Sequence, residues 1–313
     1  AVAPKETDVV SLGVQQGLLV RALAQAAGIE ASVVAHRLAG SLEPTPEGYL
    51  RVVSREPTQD DMACPYPFCL AQALDGAAES LGEIGEWQVE YKWDGIRAQV
   101  VKRAGRVWIW SRGDELVNPQ FPEVVGSCSR LPDGTVLDGE ILAWRRGTGG
   151  NAPGMSGRPL SFNALQRRLN RKRVEPTLFE TETVVLVAFD VLEHGGLDVR
   201  SRPLAERREI LEGVIAAGSE VQLSPLLRPG SWSGAIAARA EARESVNAEG
   251  LILKHRSSAY HAGRTGSRAV PGAGGTGLAD LAWLKWKLDP YRIDAVLVAA
   301  AMGTGRRAGL YTD

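Results

Sequence analysis

Apolar positions change period along the chain, and the changes divide it. Residues 17–28 (GLLVRALAQAAG) place Leu18, Leu19, Ala22, Leu23 and Ala26 at helical spacing, with Gly28 as the stop. Residues 29–40 repeat the pattern with Val33, Val34, Ala35 and Leu38 and again end on glycine. Two short helices bury little by themselves, so residues 1–55 read as the end of a helical domain. From 51 to 85 the periodicity fades among Pro57, Pro65 and Pro67, a stretch read as linker and entry loop. At Trp87 the period becomes two. Val89, Tyr91 and Trp93 alternate; residues 98–101 and 107–110 follow as strands, with a tight turn at 103–106. Further strands are expected at 136–144, 184–192 and 251–254. The second of these is almost continuously apolar and is expected at the centre of a sheet.

Helical patterns intervene. Residues 161–173 set Phe162, Leu165 and Leu169 on one face, with Arg167, Arg168, Arg171, Lys172 and Arg173 around the rest. Ser201-Arg202-Pro203 supplies a helix start, Ser201 as cap and Pro203 in the first turn, with Leu204, Leu211 and Val214 as its buried positions. Hairpin-paired strands that later alternate with helices predict an α+β fold of mostly antiparallel sheets with flanking helices over residues 56–288. A fresh strand at 293–302 marks residues 289–313 as the beginning of another domain.

Composition changes this picture little. Hydrophobic residues make up 44% and charged residues 23% of the 313, which is ordinary for a globular protein. Lys and Arg number 36 against 37 Asp and Glu, so a nucleic-acid contact would need a local basic face rather than a basic protein. Cys64, Cys69 and Cys128 are odd in number and lack CxxC or His-partner spacing, so neither a disulfide framework nor a zinc site is indicated and they read as small apolar filler. No apolar run has membrane-spanning length and no leader pattern opens the chain. A monomeric, cytoplasmic protein is expected, at the nucleoid if the Ala-, Arg-, Gly- and Val-rich composition reflects a bacterial source. The chain lacks an initiator Met, so a piece of a longer protein is expected.

Candidate chemistry begins at Glu90-Tyr91-Lys92-Trp93-Asp94-Gly95-Ile96-Arg97, where a strand presents Glu90, Lys92 and Asp94 on one face. A lysine attacks only as the neutral amine, and carboxylates oppose that state, so a metal ion or other lysines must supply the positive field. By itself this segment reads equally well as a surface charge ladder. Five more segments follow: Ser111-Arg112-Gly113-Asp114-Glu115, Leu137-Asp138-Gly139-Glu140, Val187-Ala188-Phe189-Asp190, Glu249-Gly250-Leu251-Ile252-Leu253-Lys254 and Trp283-Leu284-Lys285-Trp286-Lys287. The last reads as an alternation with both lysines on one face and the tryptophans on the other. No GxxxxGK[ST] loop is present, which excludes a P-loop enzyme.

In this order the six segments resemble the nucleotidyltransferase motifs of ATP-dependent DNA ligases, over residues 60–300 or so. The resemblance implies an adenylation domain at 56–288, preceded by the end of a DNA-binding domain and followed by the truncated start of an OB-fold. It implies that Lys92 takes AMP from ATP through a phosphoramidate bond. Glu90 would read the adenine amino group, Phe189 stack on the ring, and Arg97 and Arg112 lie along the ribose and phosphates. Glu140 and Glu249 would hold a divalent metal, Mg2+, while Lys254, Lys285 and Lys287 face the phosphates, the last two as direct contacts. ATP is favoured over NAD because the nicotinamide-recognition segment is missing before Lys92.

The implied partner is nicked double-stranded DNA. The helix bearing Arg167, Arg168, Arg171, Lys172 and Arg173 is then either a phosphate-tracking patch or a solvated face. Three departures stand out: Gly113 replaces a frequent asparagine, the glycine-rich stretch 264–281 is long, and the family's last motif, within the OB-fold, is missing. The piece is therefore expected to adenylate itself poorly. An RNA ligase, an mRNA-capping guanylyltransferase, and a nick-binding fragment inert without its OB-fold are the alternatives.

Overall fold

The computed structural model describes residues 16–39, 45–56, 59–146, 157–169, 182–216, 221–263, 283–289, 301–302 and 311–312. Helices α1 (Gln16–Ala27) and α2 (Ala31–Ala39) fill the two helical repeats. A third, α3 (Pro46–Val53), runs into what reads as linker from composition: Thr45 accepts from the Gly48 N–H at 3.1 Å and Pro46 opens the first turn. Arg37 on α2 stitches this region together. It pairs with both oxygens of Asp61 at 3.1 and 2.8 Å and donates to the carbonyls of Val52 and Ser54. Val20, Ala24, Val34 and Val52 share one buried cluster with Trp110, Val136, Leu192 and Trp283, so the three helices pack on the β region.

In chain order the first strands are β1 (Gln72–Ala73), β2 (Trp87–Tyr91), β3 (Ile96–Arg103) and β4 (Arg106–Ser111). After helix α4 (Pro122–Cys128) come β5 (Thr135–Arg146), β6 (Gly157–Pro159), helix α5 (Phe162–Leu169) and β7 (Glu182–His194). Strand β8 (Leu197–Asp198), helix α6 (Leu204–Ala216), β9 (Gln222–Leu223) and β10 (Leu226–Leu227) lead to helix α7 (Trp232–Val246). Strands β11 (Gly250–His255) and β12 (Leu284–Lys287) follow. One sheet runs β1-β12-β11-β2-β10 and the other β4-β3-β5-β7-β8, with β6 on β5 and β9 on β7. Pairing is antiparallel except for β1 with β12 and β7 with β9, the expected α+β arrangement. Beyond residue 289 only two short paired strands, Ala301–Met302 and Tyr311–Thr312, are described, so the expected OB-fold start lies outside the described residues. Among the described residues no helix is long and apolar enough to cross a membrane.

The apolar run in β7 is two interleaved sets. Val184, Leu186 and Ala188 enter the main core, whereas Val185 and Val187 pack with Trp93 and Leu142 on the other face. Both faces are covered, which is why polar alternation is missing there.

Two helix boundaries differ from expectation. Helix α6 buries Leu204, Leu211 and Val214 as expected, but its first N–H groups, of Leu204 and Ala205, donate to the carbonyls of Ser258 and Arg256 rather than to Ser201. Helix α7 is invisible in the periodicity because its alanines, arginines and glutamates form no apolar stripe. Its ends nevertheless carry local signals, Ser231 accepting from Gly234 N–H at 3.2 Å and Asn247 in a left-handed cap.

Arg103 ties the entry segment to the sheet. It grips both oxygens of Glu193 at 3.0 and 2.5 Å and donates to the Met62 carbonyl, while the Tyr66 hydroxyl donates to Glu193 at 2.8 Å. Burial opposes ionisation of Glu193, but Arg103 and Tyr66 outweigh it and hold the carboxyl below the usual range. A carboxyl depressed by folding contributes stability above its unfolded value and loses it as pH falls through the folded one. The thermal stability advantage of the protein over Glu193→Gln should therefore be full at neutral pH and shrink below pH 4.5, the ordinary glutamate value. Melting scans that give the same difference at neutral and acid pH would contradict this.

Candidate active site

A cleft of about 1000 Å3 is lined from both sheets and from the turn into α2, at Glu30 and Ala31. Its size lies at the upper end of ordinary ligand sites. Backbone ladders set its floor: Lys92 N–H donates to the Gly250 carbonyl and Glu249 N–H to that of Lys92, both at 2.8 Å, so these two side chains emerge together. Gly95 lets the β2–β3 turn lie against β5, since a Cβ there would stand 2.3 Å from the Ile141 carbonyl oxygen and 2.9 Å from Glu140 Cγ.

At one end Lys92 Nζ and Lys287 Nζ share the Glu249 Oε2 oxygen, the latter at 3.1 Å. Burial works against ionisation of Glu249, yet Lys92 and Lys287 hold its carboxyl below the usual range. Asp94 is raised instead, by burial and by the Glu249 charge. Glu140, on the same cleft, is pushed up to about 8 by burial despite Arg97 and Lys92. Lys285 also lines this space, and so does Arg112, whose N–H donates to the Arg97 carbonyl.

At the other end Phe189 stands edge-on to Trp283 with ring centroids 6.0 Å apart. Glu90 is 1% exposed; its Oε1 accepts from Gln88 at 2.9 Å and from Lys254 at 2.6 Å, while Oε2 has no partner. An unsatisfied buried carboxylate oxygen on a cleft wall is an acceptor waiting for a donor.

Two expectations differ from the structure, and a third gains a partner. Lys254 is not grouped with Lys92 and Lys287 around Glu249: it is buried, paired with Glu90, and sits 4.4 and 4.3 Å from the ring centres of Phe189 and Trp283. The tryptophans do not share a face. Trp283 is separated from Lys285 and Lys287 by even steps, so it enters the cleft with them, while Trp286 and Leu284 pack on the opposite side with Trp87 and Val89. Arg97 lines the cleft, but its guanidinium is committed to both oxygens of Asp138 at 3.1 and 2.7 Å and ringed by Phe68, Phe189 and Trp283. Asp138 in turn accepts from the Tyr260 hydroxyl at 2.6 Å.

The roles of Asp138, Tyr260 and Phe68 in holding Arg97 escape the sequence reading. Only the placement of Asp138 two residues before Glu140, on the same side of β5, hinted at them. Of the basic patch, Arg167 and Arg168 lie on α5, whereas Arg171, Lys172 and Arg173 lie outside the described residues, as does the glycine-rich stretch 264–281.

The α+β scaffold thus gathers a lysine, two carboxylates and further lysines at one end of an aromatic-walled cleft. The chain belongs to the ATP dependent DNA ligase domain family, whose model matches residues 68–270. Among curated relatives, a probable DNA ligase of Anaeromyxobacter sp. (strain Fw109-5) is 34% identical over 96% of this chain and 54% of its own length. DNA ligase 1 of Korarchaeum cryptofilum (strain OPF8) is 31% identical over 96% of this chain and 51% of its own. The chain thus spans about half the length of these relatives. A solved structure of mycobacterial DNA ligase D complexed with ATP and MES is similar at 25% identity and a TM-score of 0.48, over 70% of this chain and 58% of that one.

Proposed function

We propose that this chain is the nucleotide-transfer core of an ATP-dependent DNA ligase that seals nicks in duplex DNA, with Lys92 as the nucleophile. The observation that supports it is the joint lining of one cleft by Lys92, Glu140, Glu249, Lys285 and Lys287, with Phe189 and the unpaired Glu90 oxygen at its other end. Residues 56–288 would be the adenylation domain, 1–55 the end of a DNA-binding domain and 289–313 the start of an OB-fold. Lys92 Nζ attacks the α-phosphorus of ATP, a P–N bond forms, the bond to the pyrophosphate oxygen breaks and pyrophosphate leaves. The proton lost from Nζ has Glu249, already in contact, as its acceptor in reach. AMP then passes to the 5′-phosphate oxygen at a nick, and attack by the 3′-hydroxyl closes the strand and frees AMP.

Phosphoryl transfer is mostly positioning and charge neutralisation, which Lys285 and Lys287 would supply together with Arg112. Arg97, held by Asp138, would act as a rigid edge beside the ribose. Phe189 would stack on the base. The residues present also fit a divalent cation. Among the described residues no three metal-type side chains gather, but Mg2+ needs only one or two carboxylates beside water and phosphate. Glu140 and Glu249 offer those oxygens on the wall of one cleft. Bound there, Mg2+ would neutralise phosphate oxygens as a Lewis acid.

Glu90 bears on base choice. Its unpartnered oxygen is an acceptor, which suits the amino group at C6 of adenine and repels the O6 acceptor that guanine carries at the same ring position. Incubation with α-labelled ATP or GTP in Mg2+ should therefore give a covalent adduct from ATP alone. A guanylate adduct would overturn the ligase reading in favour of a capping-type enzyme.

A further inference from the structure

Strand β12 carries two of the lysines in the cleft, but the two are not held alike. Lys285 sits mid-strand, paired to Ile252 of β11 on one side and Ala73 of β1 on the other, and its carbonyl accepts from Leu74 N–H at 3.0 Å. Lys287 lies past the end of β1. Among the described residues only β11 flanks it there, at Gly250, and its side chain is 53% exposed. A strand end with one neighbour is free to fray.

Arg239 of α7 occupies the open side. Its Nε and Nη2 both donate to the Lys287 carbonyl oxygen, at 2.9 and 2.5 Å, and its guanidinium lies 5.3 Å from the Trp286 ring centre. The side chain is only 16% exposed, although α7 is a surface helix. Nη2 also reaches Asp289 at 3.1 Å, but that carboxylate is 91% exposed and contributes little. A planar fork that closes on one carbonyl and packs on one ring fixes a backbone position more tightly than a lysine could.

We propose that Arg239 is a positioning residue for the nucleotide phosphates: it anchors the end of β12 and so keeps Lys287 against Glu249 and aimed into the cleft. The inference rests on the nucleotide-transfer reading above. Arg239 does not touch the ligand itself. Its influence runs through Lys287, at the end of β12 away from Trp283, which stands with Phe189 at the base end of the cleft.

That separation makes a test. Calorimetric titration of the full chain with adenosine 5′-(α,β-methylene)triphosphate, which cannot transfer AMP, is compared with titration by adenosine. Arg239→Ala should weaken the triphosphate about tenfold, the scale of one lost charge-assisted phosphate contact, and leave adenosine within about twofold. Arg239→Lys, which keeps the charge without the fork, should fall between the wild-type chain and Arg239→Ala. In a Lys287→Ala background the same Arg239→Ala change should add nothing, because both act through one contact. Equal weakening of both ligands, an additive loss in the double variant, or no change in triphosphate affinity would each overturn the inference. A wild-type chain that fails to hold the triphosphate would instead overturn the proposed function.

Discussion

Lys92→Ala is expected to abolish the covalent AMP adduct entirely while leaving the fold in place. The amine is the attacking atom in the proposed reaction, whereas Lys285 and Lys287 neutralise the phosphates in it, so neither is expected to take over the attack. The fold survives because Lys92 is a cleft-wall side chain, 22% exposed, and Glu249 retains Lys287 at 3.1 Å when Lys92 is gone. The melting temperature should shift by no more than about 2 °C, as for other substitutions outside the core. Lys92→Arg is the informative companion. Arginine keeps the charge opposite Glu249 but stays protonated and cannot attack, so it too should give no adduct. A labelled band surviving in either variant on a denaturing gel would show that Lys92 serves only as a cation.

The second large effect concerns stability. Asp190 sits beside Phe189 and is fully buried with Arg207, which it holds through two 2.9 Å bonds; Arg207 also donates to the carbonyls of Arg202 and Ser258. Replacing Asp190 by alanine strands a guanidinium in the core, which costs about 3–5 kcal/mol. Replacing both partners with apolar residues of similar volume, Asp190→Leu with Arg207→Met, should cost much less, because no lone charge remains. Urea unfolding of the two variants separates these cases. A loss below about 1 kcal/mol for Asp190→Ala would mean that water reaches Arg207.

Much of this arrangement is legible along the chain, and the illegible parts share a cause. Strands β2 to β5, β7 and β11 announce themselves because alternation or an unbroken apolar run is a property of neighbours in sequence. Lys92, Glu140, Phe189, Glu249, Lys285 and Lys287 stand in recognisable segments and meet in one cleft. What the chain does not announce is which charge is already taken. Lys254 and Arg97 look available along the chain, yet Glu90 claims the first and Asp138 the second, across 164 and 41 positions. Two-residue strands such as β1 and β10 exist because a partner edge is present, and neither propensity nor period marks them. Arg239 and Arg207 read as solvated helix charges until their carbonyl and carboxylate partners are placed around them.

The central claim is that Lys92 carries the nucleotide, and intact-mass spectrometry of the chain incubated with ATP and Mg2+, followed by peptide mapping, addresses it directly. The account predicts a species heavier by one AMP, with the modification confined to the peptide containing Lys92. An adduct on any other residue, or no adduct at saturating ATP, would contradict it.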